Sequence, residues 1–466
     1  MRAFKVVLLV LFVLIGLCIA GVAIFLATFD ADRYRPRVVA ELQRAFGNHP
    51  VTVERLAVGW RHGLAIRLHG LTIRDTAYDV AAQPAREPLL QIDEAVALVN
   101  VWPLLRKQIE IVSVVLERPR VLVARDPQGR INLLGLAAVG SPTAASRPPG
   151  GDSETPVALR VGSLRITAGT LHWVDQMAAP PFELWAKQFE VTVKPIVVGQ
   201  PMELTLTAAL GGESRNISLT ARLTLPVESK PGSVEHATLT VEKLRLEQVL
   251  PTAGPNEPHL EGALSAAVQG RASTLDPAQW PRGLSGTGTL RLDQPRIVDL
   301  NLLRAVFDRF SMLPGLVQLL EARLPSAYQA KLTQRDTVLS PLDLSMQLED
   351  GWLRCERLAV RSETFELSGG GRVGWDGTLQ LRTRLRIDAD LSKALIAGVN
   401  ELRGLANADG QMEIPLTLQG RAPTISVLPD LNYVASKLLT STVEEAIGGW
   451  LQKALQRAAP AESPAQ

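Results

Sequence analysis

Leu342, Leu344, Met346 and Leu348 alternate with Asp343, Ser345, Gln347 and Glu349, and this period of two returns along most of the chain. Successive side chains of a strand point to opposite faces, so each such run makes one apolar and one polar face. In Leu379–Ile387, Leu379, Leu381, Leu385 and Ile387 share a face with Thr383, and Gln380, Arg382, Arg384 and Arg386 share the other. The pattern recurs at Leu204, Leu206 and Leu210, at Ile217, Leu219, Ala221, Leu223 and Leu225, and at Met412, Ile414, Leu416 and Leu418. Turn residues (GGES, DGW, GGGR, WDGT) separate the runs. The expected fold is mainly β: a long antiparallel, curved sheet of roughly twenty strands of five to six residues.

Few helices are available to cover it. Asp30–Phe46 reads as a short helix with an Asp cap and a stripe of Val38, Leu42 and Ala45. Leu300–Leu324, broken at Pro314-Gly315, and Leu391–Leu405 are two more candidates, and Leu431–Gln456 is the last. The phase of alternation slips at Gly70 and resumes with Leu71 and Ile73, as a bulge or a bend produces. So few helices cannot build a layered α/β domain, and the apolar face must be covered by sheet or by something that is not protein. A closed sandwich or barrel is one solution, and an open groove holding lipid chains is the other.

Val6–Leu26 is a run of twenty-one residues without a charge, preceded by Arg2 and Lys5. At 1.5 Å per residue it spans the ~30 Å hydrocarbon core of a bilayer. A cleaved signal peptide usually has a shorter apolar region and an A-x-A-like site, which LATFD does not supply. The run therefore reads as an uncleaved transmembrane anchor. Ala137–Pro156 is rich in Pro, Gly and Ser without periodicity, which is the composition of a disordered linker.

Chemistry-bearing motifs are scarce. A net charge of +2 supplies no basic field for nucleic acid, so no nucleic-acid partner is expected. Gly369–Gly374 matches GxGxxG, but a strand on each side favours a hairpin over a dinucleotide site. The six His lack metal-ligand spacing. Asp388 and Asp390 read as a helix start, with Asp390 the cap. Asn216-Ile-Ser218 is a glycosylation sequon by pattern alone. No catalytic residue, metal or cofactor is expected, and the chain reads as a non-enzyme.

The segments TFDADRYRP and AVGWRHGLAIRLHGLTIRD, followed by Ile109–Leu133, resemble the AsmA-like proteins of Gram-negative bacteria. In that family a strand, a Pro-x-Val turn, a second strand and an Arg-Asp-x-x-Gly-x-x-Asn-Leu ending recur, and Arg125, Asp126, Gly129, Asn132 and Leu133 stand at those positions. LRITAGTLHWVD and GQMEIPLTLQGRAPTISVLPDL also look like the family. The resemblance implies a single-pass bacterial inner-membrane protein with its bulk in the periplasm. It also implies a β-rich groove related to bridge-like lipid transfer proteins, serving outer-membrane lipid homeostasis.

The organisation expected is a cytoplasmic tail (1–5), an anchor (6–27), a helix plus β segment (28–136) and the linker (137–156). An elongated β-groove (157–430), with helical insertions near 300–324 and 391–405, precedes an amphipathic helix (431–457) and a disordered tail (458–466). The expected partners are the inner membrane, phospholipid acyl chains, and outer-membrane or periplasmic proteins. The lining expected for the groove is Leu219, Leu223, Leu342, Leu344, Met346, Leu348, Leu379, Leu381, Leu385 and Ile387. The alternative is a scaffold or assembly factor for outer-membrane proteins that acts through strand edges.

Overall fold

The structure, a computed structural model, describes residues 30–438 except 48, 61–63, 75–86, 105–109, 133–159, 179, 198, 227–230, 251–256, 277–278, 310–321, 375 and 422–423. The expected tail and anchor (1–27), the linker (137–156), most of the last helix and the final tail lie outside these residues. Among the described residues no helix is long and apolar enough to cross a membrane. The protein is mainly β: the described residues form twenty-one strands and a handful of short helices. It divides into two units, Met1–Ala237 and Thr238–Gln466.

The first unit holds β1 (Val51–Thr52), β2 (Arg55–Trp60), β3 (Leu64–Ile73), β4 (Leu90–Val99), β5 (Glu110–Glu117) and β6 (Arg120–Arg125). These are followed by β7 (Arg160–Val161), β8 (Leu164–Asp175), β9 (Phe182–Lys194), β10 (Pro201–Leu210) and β11 (Ile217–Thr224). The sheet is mixed where a wholly antiparallel one was expected. β8 runs parallel to both β5 and β6, pairing Glu117 with Thr167 and Arg120 with Thr170 at the same offset. β5 and β6 are therefore one line of chain, and the step at Pro119 is a kink within it rather than a turn reversing it. Period-two patterning fixes faces but not direction, so the sequence carried no sign of this.

Arg118 (φ 48°), Ala168 (φ 50°) and Gln188 (φ 50°) take left-handed backbone on neighbouring strands, where the pairing of β8 with β9 slips. β10 slips against β9 between Thr207 and Ala209. Each bulge bends its strand and increases its twist, and here the bend passes from strand to strand. Gly70 takes left-handed backbone (φ 62°) in β3, but the register slip that a bulge gives is not there: His69 pairs with Glu94 and Leu71 with Ile92 at one unbroken offset.

The N-terminal helix starts as a 3₁₀ turn, Ala31–Tyr34, capped by Asp30, and continues as an α-helix over Arg35–Ala45. Its contact residues are Val39, Leu42 and Phe46, which cover Val51, Leu71, Ile73 and Leu89. The stripe is thus rotated from the expected Val38, Leu42 and Ala45.

β12 (Ser233–Arg245) runs through the division between the units. The second unit then holds β13 (His259–Ala272), β14 (Leu284–Val298), β15 (Thr337–Val338), β16 (Leu342–Glu349) and β17 (Trp352–Arg361). It ends with β18 (Phe365–Gly374), β19 (Thr378–Ile387), β20 (Glu413–Arg421) and β21 (Thr424–Pro429). From β13 on, the described pairs are antiparallel neighbours in chain order, with β15 beside one end of β14.

Gly369-Gly370-Gly371, expected as a hairpin, lies inside β18. A Cβ at Gly369 would run into the Arg382 carbonyl oxygen, so the neighbouring backbone approaches too closely for a side chain. The register of β17 against β18 slips alongside, between Cys355 and Leu358.

Helical residues Leu302–Phe307, Ser326–Thr333, Ala389–Gly398, the 3₁₀ turn Asn400–Leu405 and residues 431–438 gather over one end of β18, β19 and β20. The break expected at Pro314-Gly315 lies outside the described residues. Leu303, Phe307, Leu391, Leu395, Leu402 and Val434 interlock with Phe365, Leu385, Ile387, Met412 and Ile414, all buried. Asp388, rather than the expected Asp390, caps Ala389–Gly398 by accepting from the N–H groups of Asp390 and Leu391.

Candidate apolar binding face

Cross-strand register turns the separate alternations into continuous rows. In the first unit, Leu56, Leu68, Ala95, Leu116, Ile166, Val191, Leu206 and Leu219 stand side by side across eight strands. The next row is Val58, Ile66, Ala97, Val114, Leu164, Val193, Leu204 and Ala221. In the second unit, Leu348, Leu353, Val373 and Leu379 form a row that Gly420 and Ile425 extend. Facing residues sit about 4.8 Å apart between strands, so each row is an apolar strip tens of ångströms long.

The sequence-expected residues divide into two groups. Leu385 and Ile387 are fully buried beneath the helices, which places them in the protein's own core. Leu381 stands at the margin of that cover, 9% exposed. Leu219, Leu223, Leu342, Leu344, Met346, Leu348 and Leu379 are only half-buried. Along β16 these half-buried residues alternate strictly with exposed polar ones, so water reaches both faces. A strand sealed inside a sandwich shows one dry face instead.

Leu344, half-buried, faces Leu290 on β14, and Leu290 in turn faces Ala266. Sequence reasoning placed Leu204, Leu206, Leu219 and Ala221 on apolar faces of separate strands, but of the first unit's rows it named only Leu219 as lining. The alternation of Leu164 with Ile166 and of Val191 with Val193 was visible, but their alignment depends on pairing.

The polar face of the second unit pairs its own charges. Arg291 bridges Asp293 and Asp343, Arg384 meets Glu413 at 3.3 Å, and Arg372 lies 4.3 Å from the centre of the Trp352 ring.

The Arg-Asp-x-x-Gly-x-x-Asn motif ties down a loop. Asp126 accepts from the N–H groups of Gln128 and Arg130 and from the Arg130 guanidinium. Burial pushes its carboxyl up, but these hydrogen bonds and the adjacent charge outweigh it and hold the group below the usual carboxylate range. Gly129 supplies φ 82°. Asn132 then closes the loop as a substitute strand, accepting from Ala124 N–H and donating to the Leu122 carbonyl. Asn216 clamps Leu210 in the same way.

Other chemistry-bearing groups are held by neighbours. His172 is buried against Trp185, rings stacked at 3.7 Å, with its nitrogens 3.0 Å from Glu87 and 3.2 Å from Glu183. Burial pushes the Cys355 thiol up, and the thiol donates to the Arg357 carbonyl. Among the described residues no three His, Cys, Asp or Glu side chains are grouped to hold a metal ion.

These features define a mainly β protein whose apolar sheet faces are continuous and only partly covered. The model of the AsmA family matches residues 1–229, which supports assigning the chain to the AsmA-like proteins. Among curated proteins none matches the chain.

Proposed function

We propose that the protein binds phospholipid acyl chains along these faces and conducts them away from the bacterial inner membrane, in support of outer-membrane lipid homeostasis. Val6–Leu26 anchors it in this reading, and the bulk of the chain lies in the periplasm. The observation that carries the proposal is the half-buried row of Leu342, Leu344, Met346 and Leu348, an apolar face that the described residues leave partly bare. Each CH₂ of an acyl chain laid on it gains roughly 0.8 kcal/mol. Repeated Leu, Val and Ile offer many similar sites with little directional bonding, which favours sliding over capture. AsmA family membership is consistent with this role.

Photo-crosslinking tests it. Benzoylphenylalanine at Leu344 or Leu348 in cells labelled with radioactive phosphate is expected to capture lipid, while the same group at Thr289 or Gln347, on the opposite face, captures none. Equal labelling from both faces sinks the proposal.

One observation favours the assembly-factor reading. β21 pairs with β20 alone among the described strands, and Ile425 on it is 47% exposed. A free edge of this kind accepts an added strand. Crosslinking from Ser426 to a β-rich protein, without lipid at Leu344, would support it.

A further inference from the structure

We infer that one end of the first unit's sheet is seated in the interface of an anionic bilayer through Trp60 and Trp102. The two residues are far apart in sequence, but the fold brings them to the same end. Trp60 closes β2 and faces Leu64, Leu64 faces Val99, and Trp102 follows Val99 by three residues. Three adjacent strands put Trp60 about 10 Å from Val99. Both indoles are bare, at 57% and 79% exposure.

The apolar rim continues along that end. Val99 faces Ile111, Ile111 faces Val161 and Val161 bridges Ile196, while Val112 and Val197, next in chain to two of these, are exposed at 51% and 41%. The other end of β3 and β4 is closed instead, since Ile73 and Leu89 are buried beneath the N-terminal helix.

Three arguments commit this rim to a membrane rather than a protein. Tryptophan is the side chain enriched where hydrocarbon meets headgroups, because its ring is apolar and its N–H seeks a polar partner. Lys194 stands exposed on the same rim with no ion pair among the described residues. That charge complements acidic lipid. The tether also arrives here: Asp30 follows the end of the apolar run by four residues, a reach of at most about 14 Å. Asp32 accepts from the N–H of Leu56 at 3.0 Å, on the strand that ends in Trp60.

The inference rests on reading Val6–Leu26 as an anchor, but not on lipid conduction. To test it, the full chain is reconstituted in vesicles of phosphatidylethanolamine and phosphatidylglycerol, 3:1 as about a bacterial ratio, carrying a nitroxide on the acyl chain. Quenching of tryptophan fluorescence is expected to be stronger with the nitroxide near the headgroup than near the chain end. It is expected to fall at least twofold in Trp60→Phe/Trp102→Phe, and to be unchanged in Trp352→Phe. Equal quenching of the wild type and the double variant, or stronger quenching from the deeper label, overturns the inference. Leu344→Arg, which obstructs the lipid path, is expected to leave this quenching intact, so failure of conduction and failure of seating give different results.

Discussion

Leu385 lies directly across the sheet from Ile414, and neither is accessible to solvent. Four residues away on the same strand, Leu381 faces Leu418, which is only half-buried. The edge of the helical cover falls between the two pairs. Leu385→Ala is expected to cost about 2–5 kcal/mol, because its cavity cannot collapse. Leu344→Ala, on the bare face, is expected to cost less than half as much. Urea denaturation followed by tryptophan fluorescence separates them.

Charge placed on the two regions is expected to act differently. Leu344→Arg leaves the chain folded, since its side chain can reach water, and lowers lipid crosslinking from Leu348 several-fold. Leu385→Arg buries an unpaired guanidinium and unfolds the second unit. Resistance to limited proteolysis checks both, and an unfolded Leu344→Arg would mean that the face is sealed. Leu381→Arg, at the margin of the cover, is expected to fall between them.

Asp126 links the loop after β6 to pH. Its folded-state carboxyl titrates below the ordinary value of about 3.9, so its contribution is fully present above that value and is lost as pH falls through the lowered one. Asp126→Asn is therefore expected to be less stable than the wild type by a constant margin from neutral pH down to about 4, with the margin closing below. Thermal unfolding between neutrality and acid measures this. A margin that widens on acidification would contradict the assignment.

Asn132→Ala strands the Ala124 N–H and the Leu122 carbonyl together and is expected to cost roughly 2–4 kcal/mol. Asn132→Asp restores the acceptor alone and is expected to recover part of the loss.

Gly369→Ala is expected to destabilise by about 1–3 kcal/mol, because the new methyl meets the backbone of β19 and that strand must move. Gly59→Ala, with open space around its position, serves as the control and is expected to change stability by less than about 0.5 kcal/mol.

The alternation of Leu342 to Leu348 and of Leu379 to Ile387 was legible because it depends only on neighbours in the chain. What covers each position was not. Leu381 and Leu385 belong to one alternation, yet the second meets helices contributed by residues eighty positions earlier and fifty later. Gly369-Gly370-Gly371 misled for a related reason: the sequence shows a flexible tripeptide, while the crowding that demands it comes from β19 at Gly369 and Gly371 and from β17 at Gly370. The family motif around Asp126 was recognisable as a phrase, but only the hydrogen bonds show that it is a fastening. Trp60 and Trp102 are far apart in sequence, and only the register of β2, β3 and β4 brings them to one end of the sheet.

The left-handed residues Arg118, Ala168 and Gln188 write the curvature of the first unit into the covalent chain itself. Side chains other than glycine occupy that conformation at a cost of about 1–2 kcal/mol each, which the surrounding pairing must outweigh at all times. The contour is therefore a standing one, and in the proposed lipid-binding role a guest would find it already formed.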